Sequence, residues 1–167
     1  STLMQHLAWN TGKQIAVCAP TGVAALNVEG QTIHSLFRLP IGLIGRSDEK
    51  QSDATRKILN AIETLVIDEI SMVNADLMDA VDRSLRMARG RRAEPFGGVQ
   101  IVMFGDPYQL APVPPRGDEL RYVRDHYRSF WFFDAHVWAG EDDGGLIDVG
   151  RHGADLHIRE LVDIHRQ

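Results

Sequence analysis

Cysteine is almost absent from this 167-residue chain. Cys18 stands alone, which excludes an intramolecular disulfide and a multi-cysteine metal site and suits a reducing cytosol. No apolar run approaches membrane-spanning length, and no secretory signal pattern opens the chain. Basic charge is not in excess either: 18 Lys and Arg face 23 Asp and Glu, for a net charge of −5. That balance excludes a surface coated in positive charge for indiscriminate nucleic-acid binding, but leaves room for a local groove. Internal repeats, low-complexity tracts and interdomain linkers are missing too. Apolar residues are plentiful: at 44% of the chain they can fill the core of one domain, and the length is equally compatible with a piece of a larger protein.

The apolar spacing predicts alternating strands and helices. Residues 14–19 (QIAVCA), 64–70 and 98–104 (GVQIVMF) read as buried strands, with a further strand at 146–149. Helices are expected at 3–9, 23–28, 33–39, 53–60 and 154–165. A longer helix is expected from a cap at Asn74 to a stop at Gly90, with Leu77, Met78, Val81 and Leu85 on one stripe. Residues 40–52 and 111–118 are rich in loop formers, residues 129–133 form a short aromatic strand or turn, and Asp134 caps a short helix ending near residue 139. Strands that alternate with helices imply an α/β fold with a mainly parallel sheet flanked by helices.

Two strand ends carry the chemistry. Leu65-Val66-Ile67-Asp68-Glu69 is an apolar strand ending in paired carboxylates, and Phe104-Gly105-Asp106-Pro107-Tyr108-Gln109 ends a second strand in a Gly-Asp turn and a glutamine. Neighbouring parallel strands that deliver Asp, Glu and Gln at their carboxyl ends would build the hydrolysis side of a nucleoside triphosphate site. There Asp68 would hold Mg²⁺, which wants hard oxygen ligands and keeps several waters, and Glu69 would reach the attacking water. A phosphate-cradling Gly-x-x-x-x-Gly-Lys-Ser/Thr loop should precede the first helix, yet the chain opens at Ser1-Thr2-Leu3, as if just past such a Gly-Lys. The true start is therefore expected upstream.

Other segments admit two readings from the residues alone. Ala19-Pro20-Thr21-Gly22 is either a tight crossover or a turn whose amides and hydroxyl touch a phosphodiester backbone. Ile33-His34-Ser35-Leu36-Phe37 is either a core phenylalanine with a surface histidine or an aromatic that stacks a base. Arg83, Arg86, Arg89, Arg91 and Arg92 read as a solvated helix end that complements the helix dipole. Trp131, Phe132 and Phe133 read as core, and Cys18 as an inert core residue. His152 and His157 lack the spacing and the third partner of a zinc site.

Taken in order, APTGVAALNVEGQTIHSLF, LVIDEISMV and FGDPYQLAPV resemble the first motor domain of superfamily-one DNA helicases, in particular the PIF family and its RecD-like relatives. The resemblance runs over nearly the whole chain. It implies a RecA-like P-loop NTPase domain, residues 1–167, lacking its first strand and phosphate loop, with the second motor domain of the parent chain absent. It implies ATP and Mg²⁺ as cofactors and single-stranded DNA as partner, with translocation 5′→3′. Ser1 resembles the Mg²⁺-coordinating hydroxyl residue, with Thr2 beside it at the nucleotide. Asp68 resembles the Mg²⁺ carboxylate, Glu69 the water-activating base, Gln109 the γ-phosphate sensor and Arg151 the γ-phosphate clamp. Pro20, Thr21, His34, Phe37 and Pro112 fall where such helicases meet DNA.

Two departures stand out. Ala111 replaces the first of two prolines, and His152 stands where the family follows its clamp arginine with glutamine, so Arg166, in the pair Arg166-Gln167, is a second candidate. The resemblance further implies work in DNA repair, recombination and telomere maintenance, in a bacterial-type cytosol or nucleoid. A different P-loop motor, or a nucleic-acid-binding remnant without activity, remain as alternatives.

Overall fold

The computed structural model describes residues 12–42, 51–139 and 157–160. Four parallel strands form one sheet in the order β2-β1-β3-β4: β1 Ile15–Ala19, β2 Gln31–Thr32, β3 Thr64–Ile67 and β4 Gln100–Met103. Helices flank it. α1 (Gly22–Asn27) and α2 (Ile33–Phe37) bracket β2, α3 (Asp53–Ala61) precedes β3, and α4 (Ala75–Arg89) links β3 to β4. Beyond β4 come α5 (Asp118–His126) and the short α6 (His136–Ala139). The α/β class and the three expected neighbouring strands are as the sequence implies. The edge strand β2 and helix α5 are additions to that expectation.

Burial follows strand position. Every residue of β3 is buried, because the strand lies inside the sheet with its two faces covered. In β4, Gln100 is exposed and Ile101 to Met103 are half-buried, since β4 is an edge among the described residues. Cys18 is fully buried in β1, and burial pushes its thiol pKa up to about 12, which leaves it inert.

β3 ends earlier than the run of apolar residues indicates. Glu69 adopts a left-handed conformation (φ 51°, ψ 45°), and a 3₁₀ turn, Ile70–Met72, follows directly. Asn74 takes the cap position of α4, but its side chain makes no capping bond. The Ala75 N–H donates instead to the Phe130 carbonyl at 3.0 Å, beside an antiparallel bridge between Asn74 and Trp131. Gly90, left-handed at φ 66°, stops the helix as expected. Asp134 likewise does not cap α6; its carboxylate accepts from the Ser129 hydroxyl. Residues 157–160 have no regular structure, contrary to the expected helix across them, and Ile158 is exposed, so no apolar face is buried there to hold one. The expected helix at 3–9, the strand at 146–149 and the rest of 154–165 lie outside the described residues.

α4 buries more than its apolar stripe. Leu77, Met78, Val81 and Leu85 sit in the core as expected, but Asp76, Asp79 and Asp82 are buried too. Each needs a partner, because an unpaired buried carboxylate is costly. Asp79 accepts from the Tyr127 hydroxyl (2.8 Å), the Val137 N–H (3.1 Å) and the His136 N–H (3.2 Å), and so caps α6 from a different element. Asp82 accepts from Arg86 Nε (2.8 Å) and from the Phe96 N–H (2.5 Å).

The basic helix end divides: Arg91 and Arg92 are exposed, as expected of a solvated terminus, whereas Arg89 is a brace. Arg89 donates to the carbonyls of Gly97 (2.8 Å), Asn60 (3.0 Å) and Ile62 (2.7 Å), which ties the end of α3 to the turn before β4. The aromatic segment divides. Phe130 and Phe132 pack against the core, whereas Phe133 is exposed and stacks on Trp131 with ring centroids 5.7 Å apart.

Asp79 is the anchor of the region after β4. Asp79→Ala is expected to destabilise the fold by about 3 kcal/mol, because it strips three donors of a charged acceptor, and Tyr127→Phe by roughly half as much. Urea unfolding of the two variants checks the ratio.

Candidate active site

The carboxylates sit where the strand pattern puts them. Ile67 pairs with Met103, so Asp68 and Glu69 leave the carboxyl end of β3 beside Phe104 and Gly105 at the carboxyl end of β4. Hydrogen bonding continues past the strands: Asp68 N–H donates to the Cys18 carbonyl (2.9 Å), Phe104 N–H to the Ile67 carbonyl (2.9 Å) and Ile70 N–H to the Phe104 carbonyl (2.9 Å). Asp68 and Glu69 are both half-buried, within reach of solvent and of a ligand above the sheet edge. A non-glycine residue in the left-handed region stores strain of about 1–3 kcal/mol, and such strain gathers at functional sites. Here it falls on Glu69.

Gly105 fastens the second turn to the first. A Cβ on Gly105 would stand 2.9 Å from the Ile70 nitrogen and 3.2 Å from the Ser71 nitrogen, so only glycine lets the two turns lie this close. Beyond it, Asp106 organises the loop. One carboxylate oxygen accepts the Tyr108 N–H (2.9 Å), the other accepts Gln109 Nε2 (3.0 Å), and the Gln109 N–H donates to the Asp106 carbonyl (3.1 Å). Gln109 is exposed, and the Tyr108 ring is 94% exposed. Asp106 is a residue that sequence reasoning passed over, although an Asx turn in Asp-Pro-Tyr-Gln was a legible signal.

This arrangement suits chemistry on a polyanionic substrate. Two adjacent carboxylates offer hard oxygens for a divalent cation. Among the described residues no three His, Cys, Asp or Glu side chains gather as a metal cage, so a cation here would take further ligands from water and substrate. Ser1, Thr2, Arg151 and Arg166 lie outside the described residues.

The other half of the same sheet edge holds the expected DNA-contact segments. Ala19 pairs with Thr32, so Pro20-Thr21 leaves β1 alongside Ile33-His34 leaving β2. Thr21 caps α1 by accepting the Ala24 N–H at 3.2 Å, and Thr32 caps α2 by accepting the Ser35 N–H at 3.1 Å. Pro20, Thr21 and His34 are half-buried. Burial lowers the His34 pKa, and the carboxylate of Asp76 partly offsets that effect.

Two expected contacts are corrected. Phe37 is only 2% exposed and belongs to the main core with Ile33 and Leu36, so its ring has no free face for a base. Pro112 is likewise fully buried and offers no surface to a DNA strand. The α2 turn points its apolar positions 33, 36 and 37 inward, which leaves the polar ones for solvent.

The comparisons with known proteins agree with this geometry. A family model described as PIF1-like helicase matches residues 1–132. The ATP-dependent DNA helicase PIF1 of Emericella nidulans is 42% identical over 106 residues, covering 60% of this chain and 14% of that protein. Among solved structures, Bacteroides Pif1 bound to single-stranded DNA is 45% identical with a TM-score of 0.77, covering 83% of this chain and 33% of that one. The Bacteroides Pif1 complex with ADP-AlF4 is 45% identical with a TM-score of 0.76, covering 83% and 32%. The chain thus spans about a seventh of the curated relative and about a third of the solved chains.

Two predictions follow from the burial pattern. Phe37→Ala should destabilise the protein by about 3–5 kcal/mol through the cavity it leaves, as read by denaturant unfolding. Asp76 is buried with Oδ1 lacking a partner, and burial raises its pKa, with Glu119 and Asp79 adding to the rise. The folded state therefore holds this proton to higher pH than the unfolded chain does. Stability contributed by the group is present below its unfolded pKa and is lost as pH rises through the folded pKa. Asp76→Asn should accordingly be more stable than the parent at pH 7, with the gap closing towards pH 4, in thermal melts across that range.

Proposed function

This chain belongs to the PIF1-like helicase family, and on that premise we propose that it forms part of the first motor domain of an ATP-dependent DNA helicase. The observation that carries the reading is the pair Asp68-Glu69 at the end of an interior strand, fastened through Gly105 to the loop that bears Gln109. Its support is the 45% identity to a Pif1 structure holding ADP-AlF4, a γ-phosphate mimic on a nucleotide, and to another holding single-stranded DNA.

Each residue then has a task. Asp68 would hold Mg²⁺, which supplies charge neutralisation on the β- and γ-phosphates when bound. Glu69, on the left-handed residue that follows Asp68, would accept a proton from the water attacking in line with the γ-phosphorus. Gln109 reports the state of the γ-phosphate. Ser1 and Thr2 join the Mg²⁺ and phosphate contacts, and Arg151, with Arg166 as the alternative, clamps the γ-phosphate. Pro20, Thr21 and His34 lie along single-stranded DNA at the neighbouring half of the sheet edge, without Phe37 and Pro112.

The rest of the reading reaches beyond this chain. ATP binds between this domain and a second motor domain of the same parent protein, and closure of that cleft steps the protein 5′→3′. Work in repair, recombination or telomere maintenance, and a bacterial-type cytosol or nucleoid as location, belong to the same proposal; the single, buried Cys18 suits a reducing compartment.

In the intact helicase, Glu69→Gln should bind ATP normally and lose hydrolysis by about 10²–10⁴-fold, the usual worth of a positioned general base. Equilibrium binding of a fluorescent ATP analogue and steady-state phosphate release measure the two halves of that statement. Near-normal turnover in the variant would remove Glu69 from the mechanism. No turnover in the unmodified helicase would leave a nucleic-acid-binding remnant instead.

A further inference from the structure

We propose that Asp106 is a positioning residue whose carboxylate fixes which end of the Gln109 amide faces the reacting phosphate. The inference rests on the reading of Gln109 as a phosphate sensor. Gln109 is exposed, and an exposed glutamine samples many rotamers and two amide orientations. Asp106 removes that freedom. Its second carboxylate oxygen takes Gln109 Nε2 at 3.0 Å, and a carboxylate can only accept. Turning the amide over would set Oε1 against the carboxylate, acceptor against acceptor. One orientation therefore survives: the nitrogen stays at Asp106, and its second N–H remains available for a phosphate oxygen.

The carboxylate is itself held. Its first oxygen accepts the Tyr108 N–H at 2.9 Å, and its backbone carbonyl accepts the Gln109 N–H at 3.1 Å. Gly105, immediately before it, rests on the Ile70-Ser71 backbone, next to the catalytic carboxylates. The sensor amide is thus tied in three links to the turn that carries Glu69. Preorganising a donor before the transition state is where such bonds act, so the effect belongs in kcat and not in ATP affinity.

Asp106→Asn separates positioning from folding. The single carbonyl of asparagine still accepts the Tyr108 N–H, and asparagine is as good as aspartate in an Asx turn. Its NH₂ then faces Gln109 and forces the amide to present Oε1 inward, the wrong way round. In the intact helicase, with single-stranded DNA present, Asp106→Asn should lower kcat for ATP hydrolysis by about tenfold or more, with KM for ATP and the melting temperature nearly unchanged. Asp106→Ser, which keeps a weaker turn bond and frees Gln109 without reversing it, should lower kcat less. The double variant Asp106→Asn/Gln109→Ala should be no slower than Gln109→Ala alone. A slow Gln109→Ala beside a normal Asp106→Asn overturns the proposal and leaves Gln109 in its role. So does a double variant slower than Gln109→Ala. A Gln109→Ala enzyme with normal kcat overturns the reading of Gln109 itself, and the proposal falls with it.

Discussion

The peptide of Gly105 lies against the backbone of Ile70 and Ser71, so close that a Cβ there would stand 2.9 Å from the Ile70 nitrogen. The Ile70 N–H donates across to the Phe104 carbonyl, which extends the β3–β4 ladder one step past the point where both strands have ended. The turn bearing the paired carboxylates and the turn bearing the glutamine are therefore one mechanical piece. A displacement of the Phe104-Gly105 backbone must therefore move the β3 end or be resisted by it. The left-handed strain at Glu69 is tolerable for the same reason, because hydrogen bonds on both sides of the residue over-determine its backbone.

Stiffness at the sheet edge needs a stiff foundation, and α4 supplies it by unusual means. A helix with aspartates at 76, 79 and 82 would ordinarily turn that face to water. Here the face is buried, and two of the three carboxylates become acceptors for other elements: Asp79 for Tyr127 and the start of α6, Asp82 for Arg86 and the turn before β4. Arg89 extends the same scheme with three carbonyl contacts to α3 and to residue 97. Polar groups do the joining that a larger apolar core would do in a bigger domain. Each junction is directional, so register and orientation are specified along with stability.

Much of this was legible in the sequence, and the remainder was hidden for definable reasons. Strands β1, β3 and β4 follow from short β-branched runs bounded by turn residues, and the carboxyl-end placement of Asp68 and Gln109 follows from parallel strands in turn. The stop at Gly90 was local chemistry and is seen as such. The mechanism at Asn74 was not, because the helix start is held instead by a bond from the Ala75 N–H to a carbonyl at residue 130, far along the chain. Strand β2 has two residues and exists only because β1 lies beside it. Helix α5 carries one buried residue, Val123, so its sequence lacks the apolar stripe by which helices are recognised. Sidedness was the hardest property to read: Tyr108 is exposed and Phe37 enclosed, though both are lone aromatics beside motif residues.

That reversal changes what the proposed DNA half of the edge can do. With Phe37 in the core, the half-buried groups that remain where β1 and β2 end are a proline, a threonine hydroxyl already serving as a helix cap, and His34. None offers a broad stacking face like that of phenylalanine. His34 is also held towards its neutral form, since burial lowers its pKa and Asp76 restores only part of the loss. A neutral imidazole can exchange hydrogen bonds with a phosphate or sugar oxygen but releases no counterion. The DNA contact proposed along this path would therefore rest on hydrogen bonds to the backbone of the strand, which by themselves carry no information about base sequence.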